Sequence, residues 1–262
     1  MCWNNRSAMQ SIHSFFEGVR LKGNIYIGLI KRLTLVMAFY TICRISFYLF
    51  NVSFFPDMTF SRMATIMLGG LKFDLAAILY INSLFILLTI IPLKIKFNPI
   101  YQKILHYIFI ITNAIGLAAN AADNIYYQYT LRRTTVTVFS QFENEQNFGA
   151  LLVSFLLDYW YGFVFFIVLV FLFVRFANQI KIEGPQLKNP WSFYAVSTGL
   201  MLLIIYLFVG GVRGGFRHST RPITISNAAE YAKVPKDINL VLNTPFALMR
   251  TAKANVIEKV NY

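Results

Sequence analysis

Eight charged residues in this chain have side chains suited to holding a phosphate-bearing group. They are Lys72, Asp74, Asp123, Arg132, Arg133, Arg213, Arg217 and Arg221. Arginine presents a planar fork of N–H donors that matches two phosphate oxygens at once. Most of these residues interrupt or follow long apolar runs, where a charge is costly and needs a reason. The pattern indicates a site for a phospholipid headgroup, and the alternative is that the charges only anchor helix ends.

Three of the eight, Arg213, Arg217 and Arg221, lie in or after a glycine-rich stretch, residues 210–215, at four-residue spacing. Glycine opens unusual backbone angles and Pro222 cannot continue a helix, so the apolar run before them must stop. We expect the last membrane helix to end here, and a cationic strip to begin at the level of the lipid headgroups.

The sequence contains no complete catalytic or metal-binding pattern. The histidines His13, His106 and His218 are far apart, and the cysteines Cys2 and Cys43 form no disulfide framework. The motifs of serine hydrolases, zinc proteases, P-loop proteins and dinucleotide-binding proteins are missing. We therefore predict no catalytic residue, no metal ligand and no cofactor within this chain.

The composition indicates that lipid is the main solvent of this protein. Of its 262 residues 57% are hydrophobic, 17% aromatic and only 13% charged, whereas soluble domains have about 25% charged residues. The formal net charge of +13 comes from basic residues at the ends of apolar runs. Anionic phospholipid headgroups are therefore the expected partners, and nucleic acid is not.

Five apolar segments are long enough for helices that cross a bilayer, which needs about 20 residues. They cover residues 33–50, 66–91, 100–122, 151–176 and 191–212. We predict an all-α membrane protein, a bundle of five transmembrane helices followed by short interfacial helices. The predicted division is a cytoplasmic segment at 1–32, the transmembrane domain at 33–212 and an extracytoplasmic linker at 213–262.

The distribution of Lys and Arg predicts the orientation. Eleven lie before the first span and in the links between spans two and three and spans four and five, against three in the alternate links. Since positive residues favour the cytoplasmic side, we expect the N-terminus in the cytoplasm and the C-terminus outside. Arg213, Arg217 and Arg221 then lie on the disfavoured side, so helix anchoring alone explains them poorly.

Other polar residues have structural interpretations. Arg44 and Asn82 are expected to hydrogen-bond between helices of the bundle. Asp158, just before the aromatic pair at Tyr159 and Trp160, is interpreted as an entry into the membrane rather than a proton relay.

The segments outside the spans are predicted as one long loop and two surface helices. Residues 124–148 are expected to form an external loop. In the tail, Ser226 is expected to cap a short helix. Thr244 is expected to cap a second helix, with Pro245 at its first position, that runs to about Glu258 and lies on a surface.

Five short patches occur in a characteristic order along the chain. They are Gly70-Leu71-Lys72-Phe73-Asp74-Leu75, Ala122-Asp123-Asn124-Ile125-Tyr126-Tyr127 with Arg132-Arg133, Asp158-Tyr159-Trp160, Arg213-Gly214-Gly215 with Arg221-Pro222, and Leu242-Asn243-Thr244-Pro245-Phe246. Together they resemble the membrane portion of the lipoteichoic acid synthase-like, sulfatase-type membrane proteins. The resemblance runs from about residue 30 to the end.

The resemblance implies a bacterial cytoplasmic (inner) membrane protein with five membrane helices, linking surface helices and a large extracytoplasmic domain of the alkaline phosphatase superfamily. That domain carries a threonine nucleophile and a divalent metal, often manganese, and transfers phosphoglycerol or a similar headgroup from a membrane lipid to an acceptor. The present chain ends at Tyr262, where that domain would begin. We expect it to anchor such a domain and present lipid to it, and to be inactive alone.

Two other classes of function remain open. A small transporter or channel would explain the charges of Lys72 and Asp74 within a span. The odd number of spans, the lack of inverted repeats and the expectation of unbroken helices at mid-membrane argue against it. A scaffold that only anchors is the second alternative.

Overall fold

The computed structural model describes residues 23–138, 157–184 and 189–252, and every regular element among them is a helix. The α-helices are α1 (Ile25–Phe50), α2 (Phe60–Ile81), α3 (Ser83–Ile90), α4 (Pro99–Thr130), α5 (Trp160–Ala177), α6 (Pro190–Arg213), α7 (Asp237–Val241) and α8 (Thr244–Thr251). Short 3-10 helices cover Val52–Phe54, Lys94–Phe97 and Ile225–Tyr231.

Five of these helices, α1, α2, α4, α5 and α6, are long and apolar enough to cross a membrane. The predicted all-α class with five spans is therefore confirmed, and the helices are those of a multi-pass membrane protein. The first span begins eight residues earlier than predicted, at Ile25. Residues 151–156 of the predicted fourth span lie outside the described part of the chain.

Asparagine side chains begin three of the membrane helices. Asn24, Asn98 and Asn189 accept hydrogen bonds from backbone N–H groups in the first turns of α1, α4 and α6. The first N–H groups of a helix have no partner within it, so a side-chain oxygen at this position stabilises the start. Pro99 and Pro190 follow as first helical residues, where proline lacks only an N–H that would be unpaired anyway.

The interior of the bundle is filled with aromatic rings. Helix α1 packs against α2, α4 and α5, and α6 lies outside them on α2 and α3. The ring centroids of Phe39 and Phe173 are 5.3 Å apart, and those of Phe85 and Phe109 are 5.0 Å apart. Such ring pairs stabilise a core beyond the area that they bury.

The second predicted span is interrupted at Asn82, which lies between α2 and α3. Its amide nitrogen donates to the Ile78 carbonyl at 2.9 Å and to Asn113 Oδ1 at 3.0 Å, and Asn113 Nδ2 donates to Asn82 Oδ1 at 2.8 Å. The expectation of an interhelical bond from Asn82 is confirmed, and the second predicted span is divided at this residue into α2 and α3. The backbone hydrogen bonding continues at this point, because the Asn82 N–H still donates to the Ile78 carbonyl at 3.0 Å.

The predicted external loop at 124–148 begins later than expected. Residues up to Thr130 continue α4, and Leu131 ends the helix in the left-handed conformation. The helix continues past the end of its apolar run because its polar residues there are buried against other helices. Asn124 Nδ2, for example, donates to Ser46 Oγ of α1 at 3.1 Å. Residues 139–148 of the predicted loop lie outside the described residues.

The tail after α6 differs most from expectation. Thr224, not Ser226, precedes the first short helix, which is a 3-10 helix at Ile225–Tyr231. Asn243, not Thr244, caps α8, and its side chain accepts from Phe246 N at 2.8 Å. The predicted end of this helix, near Glu258, lies outside the described residues. Helix α8 does not lie on a surface, because Thr244 to Ala247 are buried.

Candidate functional site at the docked tail segment

The tail segment, residues 237–251, packs into the end of the bundle against α1, α2 and α4. Its chain turns at Leu242 and Asn243, both buried, between α7 and α8. The Phe246 ring meets Phe73 of α2 edge to face, with centroids 5.2 Å apart. The segment is therefore part of the interior and not a helix laid over the outside.

Arg44 of α1 binds the end of α7. Its Nη1 donates to the carbonyl oxygens of Leu240 and Val241. Its Nη2 lies 3.2 Å from the Gly70 carbonyl and 2.5 Å from Asp74 Oδ1. The last carbonyls of a helix have no partner within it and carry negative partial charge, so a cation is favourable there.

Polar groups of α4 bind the start of α8. Asn120 Oδ1 accepts from Thr244 N at 3.1 Å, and Asp123 Oδ2 accepts from Thr244 Oγ1 at 2.5 Å. Asn243 Nδ2 donates to Asp74 Oδ1 at 2.8 Å. A carboxylate therefore faces the positive start of α8 while Arg44 faces the negative end of α7, and both ends of the turn are electrostatically matched.

Arg133, just after the end of α4, joins this network. Its Nη1 is 3.5 Å from Asp123 Oδ2, and its Nε donates to the Asn239 carbonyl at 2.7 Å. The guanidinium carbon lies 3.6 Å from the centroid of the Phe47 ring, a cation–π contact. Burial lowers the pKa of Arg133 to about 10, against the opposing effect of Asp123, so the side chain stays charged at neutral pH.

Arg62 and Asp237 form a two-pronged ion pair between α2 and α7. Arg62 Nε lies 2.9 Å from Asp237 Oδ2, and Nη2 lies 2.5 Å from Oδ1. The backbone N–H groups of Lys233 and Val234 also donate to Asp237 Oδ2, at 3.1 and 3.2 Å. Burial raises the pKa of Asp237, but these donors outweigh it and the pKa lies below the usual 3.8.

Two neighbouring glycines of α2 make room for the side chains of Arg44 and Tyr231. A Cβ atom on Gly70 would lie 2.3 Å from Arg44 Cζ, and one on Gly69 would lie 2.2 Å from Cγ of the Tyr231 ring. Both distances are far below van der Waals contact. The absence of side chains at these positions therefore allows the guanidinium and the tail to approach the helix backbone.

The eight predicted site residues divide into groups rather than one cluster. Asp74, Asp123 and Arg133 are buried in the network around the tail segment. Their charged groups contact other parts of the protein, and their contact with a headgroup stays a prediction. Arg132 is exposed beyond the end of α4.

The remaining four lie at the cationic turn, residues 213–221, and beside it. Arg213 Nη2 donates to the Thr220 carbonyl at 2.6 Å and closes the turn. Gly214 ends α6 with φ of +78°, and Lys72 Cε lies 2.9 Å from where its Cβ would be. Arg217 and Arg221 are exposed. None of these four side chains is buried, and their contact with a headgroup stays a prediction.

Sequence reasoning missed several residues of the site. Arg44 was expected to bond within the bundle, which is confirmed, but its contact with the tail was not foreseen. The ion pair between Arg62 and Asp237 could not be predicted, because no local sequence pattern relates residues 175 positions apart. Asn243 was detectable, since Asn followed by Thr244 and Pro245 fits a helix start one residue before the predicted cap.

The polar contacts of this site hold the tail segment against α1, α2 and α4. Among the described residues, no group of three or more His, Cys, Asp or Glu is placed to hold a metal ion. The buried charges are paired, although Asp74 Oδ2 has no hydrogen-bond partner within the described part of the chain. Comparisons with models of protein families, with curated proteins and with solved structures found no match to this chain.

Proposed function

We propose that this chain is a membrane module that anchors its C-terminal segment, holds it in a fixed position and presents phospholipid headgroups beside it. The full role would be that of the membrane portion of a lipoteichoic acid synthase-like phosphoglycerol transferase in a bacterial inner membrane. The observation that carries the proposal is the docking of residues 237–251 among α1, α2 and α4 through buried charges.

The ion pairs favour a positioning role over simple anchoring. Arg44 with Asp74, Arg62 with Asp237 and Arg133 with Asp123 are all buried. Losing one partner of a buried pair costs about 3–5 kcal/mol, because the other charge is left unpaired. An anchor needs only apolar helices, so polar contacts that fix one particular position of the tail point to a requirement for that position.

The cationic turn supports the lipid-presenting part of the proposal. Arg217 and Arg221 are exposed at the end of α6, and Lys72 lies beside the same turn. Arginine forks bind phosphate oxygens in pairs. Cations at the end of a membrane helix also lie at the depth of the headgroups.

A cysteine-labelling experiment tests the positioning. In a Cys2→Ser background, Ala247→Cys lies in the buried part of α8, and Ala252→Cys lies on the exposed end. We expect a membrane-impermeant maleimide to label position 252 at least about tenfold faster, since buried groups react only on opening. Arg62→Gln should raise labelling at 247 but not at 252. Equal labelling of both positions in the parent protein contradicts docking.

A lipid-retention experiment tests the presentation of headgroups. Native mass spectrometry would count the phosphatidylglycerol molecules retained on the purified chain. The double change Arg217→Gln with Arg221→Gln should lower that number and leave the melting temperature unchanged, because both residues are exposed. The matched control is Lys94→Gln with Arg175→Gln, which removes two exposed charges elsewhere. An equal loss in the control would show only general charge attraction.

The link to phosphotransfer has its own test. The purified 262-residue chain with manganese and phosphatidylglycerol vesicles should release no diacylglycerol above a vesicle blank. Release by this chain contradicts the role of a non-catalytic module. The nucleotide sequence after the codon for Tyr262 tests the association with a catalytic domain: a continuous frame encoding an alkaline phosphatase-type domain supports it, and a stop codon contradicts it.

A further inference from the structure

A polar cavity lies at the opposite end of the bundle, where α1 begins. It has a volume of about 300 Å³ and opens between the starts of α1 and α4 and the end of α5. Five polar side chains line it: Arg32, Gln102, Lys103, His106 and Asn178. None of the described residues that line it is a carboxylic acid, so the described lining carries positive charge.

Arg32 is the unusual member of this lining. It is only 4% exposed, and its Nε and Nη1 are buried with no hydrogen-bond partner among the described residues. The guanidinium lies 5.6 Å from the Phe85 ring centroid and 5.9 Å from that of Phe109. A cation–π contact stabilises a charge by only about 0.5–2 kcal/mol. This is less than the cost of burying the N–H donors of a charged group without acceptors. Within residues 23–138, 157–184 and 189–252 these donors therefore lack an acceptor.

Two further basic side chains share the cavity with Arg32. Lys103 and His106 are three residues apart in α4, so they lie on one face of that helix. Lys103 is exposed and His106 is half-buried. Arg32 and His106 each lie seven residues into their helices, about 10 Å from the helix start at 1.5 Å per residue. The positive wall is thus built from two helices at one depth near the end of the bundle.

Ile180 and Ile182, which follow α5 in the chain, form the apolar wall of the cavity. Ile182 lines the cavity, and its Cγ1 lies 3.3 Å from where a Cβ of Gly28 would be. Glu183 N donates to the Gly23 carbonyl at 2.8 Å, which fastens this segment to the start of α1. The Glu183 side chain packs along Gly23, and it is not part of the cavity lining.

We propose that this cavity binds a phosphate group. A tetrahedral anion with several oxygens can accept from Arg32, Lys103 and the Asn178 amide, which approach from three different helices or helix ends. A carboxylate, with two oxygens in a plane, suits that arrangement less well. The phosphate belongs either to the headgroup of a lipid in the adjacent leaflet or to a soluble phosphate compound. This site uses none of the residues of the tail site, so it stands independently of the proposed function.

Binding to the full chain in detergent micelles tests the proposal in two arms. Inorganic phosphate is titrated in one, and dihexanoyl phosphatidylglycerol in the other, both by isothermal calorimetry. We expect the protein to bind at least one of them and Arg32→Gln to weaken it by at least about tenfold, the factor that corresponds to 1.4 kcal/mol. Binding of inorganic phosphate, with or without the lipid, indicates a soluble phosphate compound. Binding of the lipid alone indicates a headgroup.

Lys31→Gln is the matched control, since Lys31 precedes Arg32 and is exposed outside the cavity lining. It should change the affinity by less than about twofold, as expected of one solvent-screened charge. Lys103→Gln serves if Arg32→Gln fails to fold, because Lys103 is exposed, and it should weaken binding several-fold with an unchanged melting temperature. The proposal is overturned if neither probe binds, or if Lys31→Gln weakens binding as much as the cavity variants do.

Discussion

Arg44 Nη2 and Asp74 Oδ1 lie 2.5 Å apart inside the bundle, and the same guanidinium binds the last carbonyls of α7. One side chain of α1 therefore joins α2 and the tail. Arg44→Met should lower the free energy of unfolding by about 3–5 kcal/mol, because it leaves the carboxylate of Asp74 buried without its partner. Chemical unfolding in mild detergent measures the change.

The control for this prediction is Arg132→Gln. Arg132 is exposed, so its loss should change stability by no more than about 0.5 kcal/mol. If both variants unfold at the same denaturant concentration, the buried pair contributes nothing to the stability of the fold.

Gly70→Ala should destabilise the protein by about 1–3 kcal/mol, the usual cost of overpacking a close contact. The new methyl group would lie 2.3 Å from Arg44 Cζ, so the guanidinium must leave the helix backbone. Gly199→Ala in α6 is the matched control, because nothing lies within 4 Å of its Cβ position. It should stabilise the helix by up to about 1 kcal/mol. Thermal melts that show the same sign for both changes would contradict the close contact.

The lowered pKa of Asp237 predicts that the stability of the fold depends on pH. Its pKa is lower in the folded protein than the usual 3.8, because donors from Arg62 and the backbone outweigh burial. A carboxyl group with a lowered pKa stabilises the fold above the unfolded-state pKa, and this contribution is lost as the pH falls through the folded-state value. Asp237→Asn should therefore lower the melting temperature at pH 7, and the difference from the parent protein should shrink below pH 4.

The comparison for this experiment is Asp158→Asn, which removes an exposed carboxylate before α5. Its melting temperature should follow that of the parent protein over the same pH range. A difference between Asp237→Asn and the parent protein that stays constant from pH 7 to pH 3 would mean that the ion pair does not depend on ionised Asp237.

The amide pair between Asn82 and Asn113 predicts a coupling between α3 and α4. Each side chain donates to the other, at 3.0 and 2.8 Å. Asn113→Leu should cost about 1 kcal/mol, the scale of polar contacts between membrane helices. The double variant with Asn82→Leu should cost less than the sum of the single changes, because neither amide is then left half-satisfied. Strict additivity in this double-mutant cycle would exclude the coupling.

The five spans could be predicted from the sequence because each depends on a local property, a run of apolar residues long enough to cross the bilayer as a helix. Residues two apart in a helix do not share a face, but the sequence did not predict which of Lys72 and Asp74 is buried. Lys72 lies beside Gly214 and Asp74 is buried.

The tail site could not be predicted, because its contacts join parts of the chain that no local pattern relates. Asp237 pairs with Arg62 across 175 positions, and Asn243 binds Asp74 across 169. The composition of residues 244–251 is moderately polar, which suggested a surface. That polarity is instead used inside the bundle, where Thr244 and Asn243 bind groups of α4 and α2.

The way in which the tail is held determines where a mechanical load on the chain is borne. Residues 237–251 follow α6 in the sequence, yet their buried contacts are with α1, α2 and α4. A pull applied beyond Ala252 would therefore reach these three central helices through Arg44, Asp123 and Arg62 before it stretched the link to α6. The outermost span is shielded from tension, and the core of the bundle serves as the attachment point.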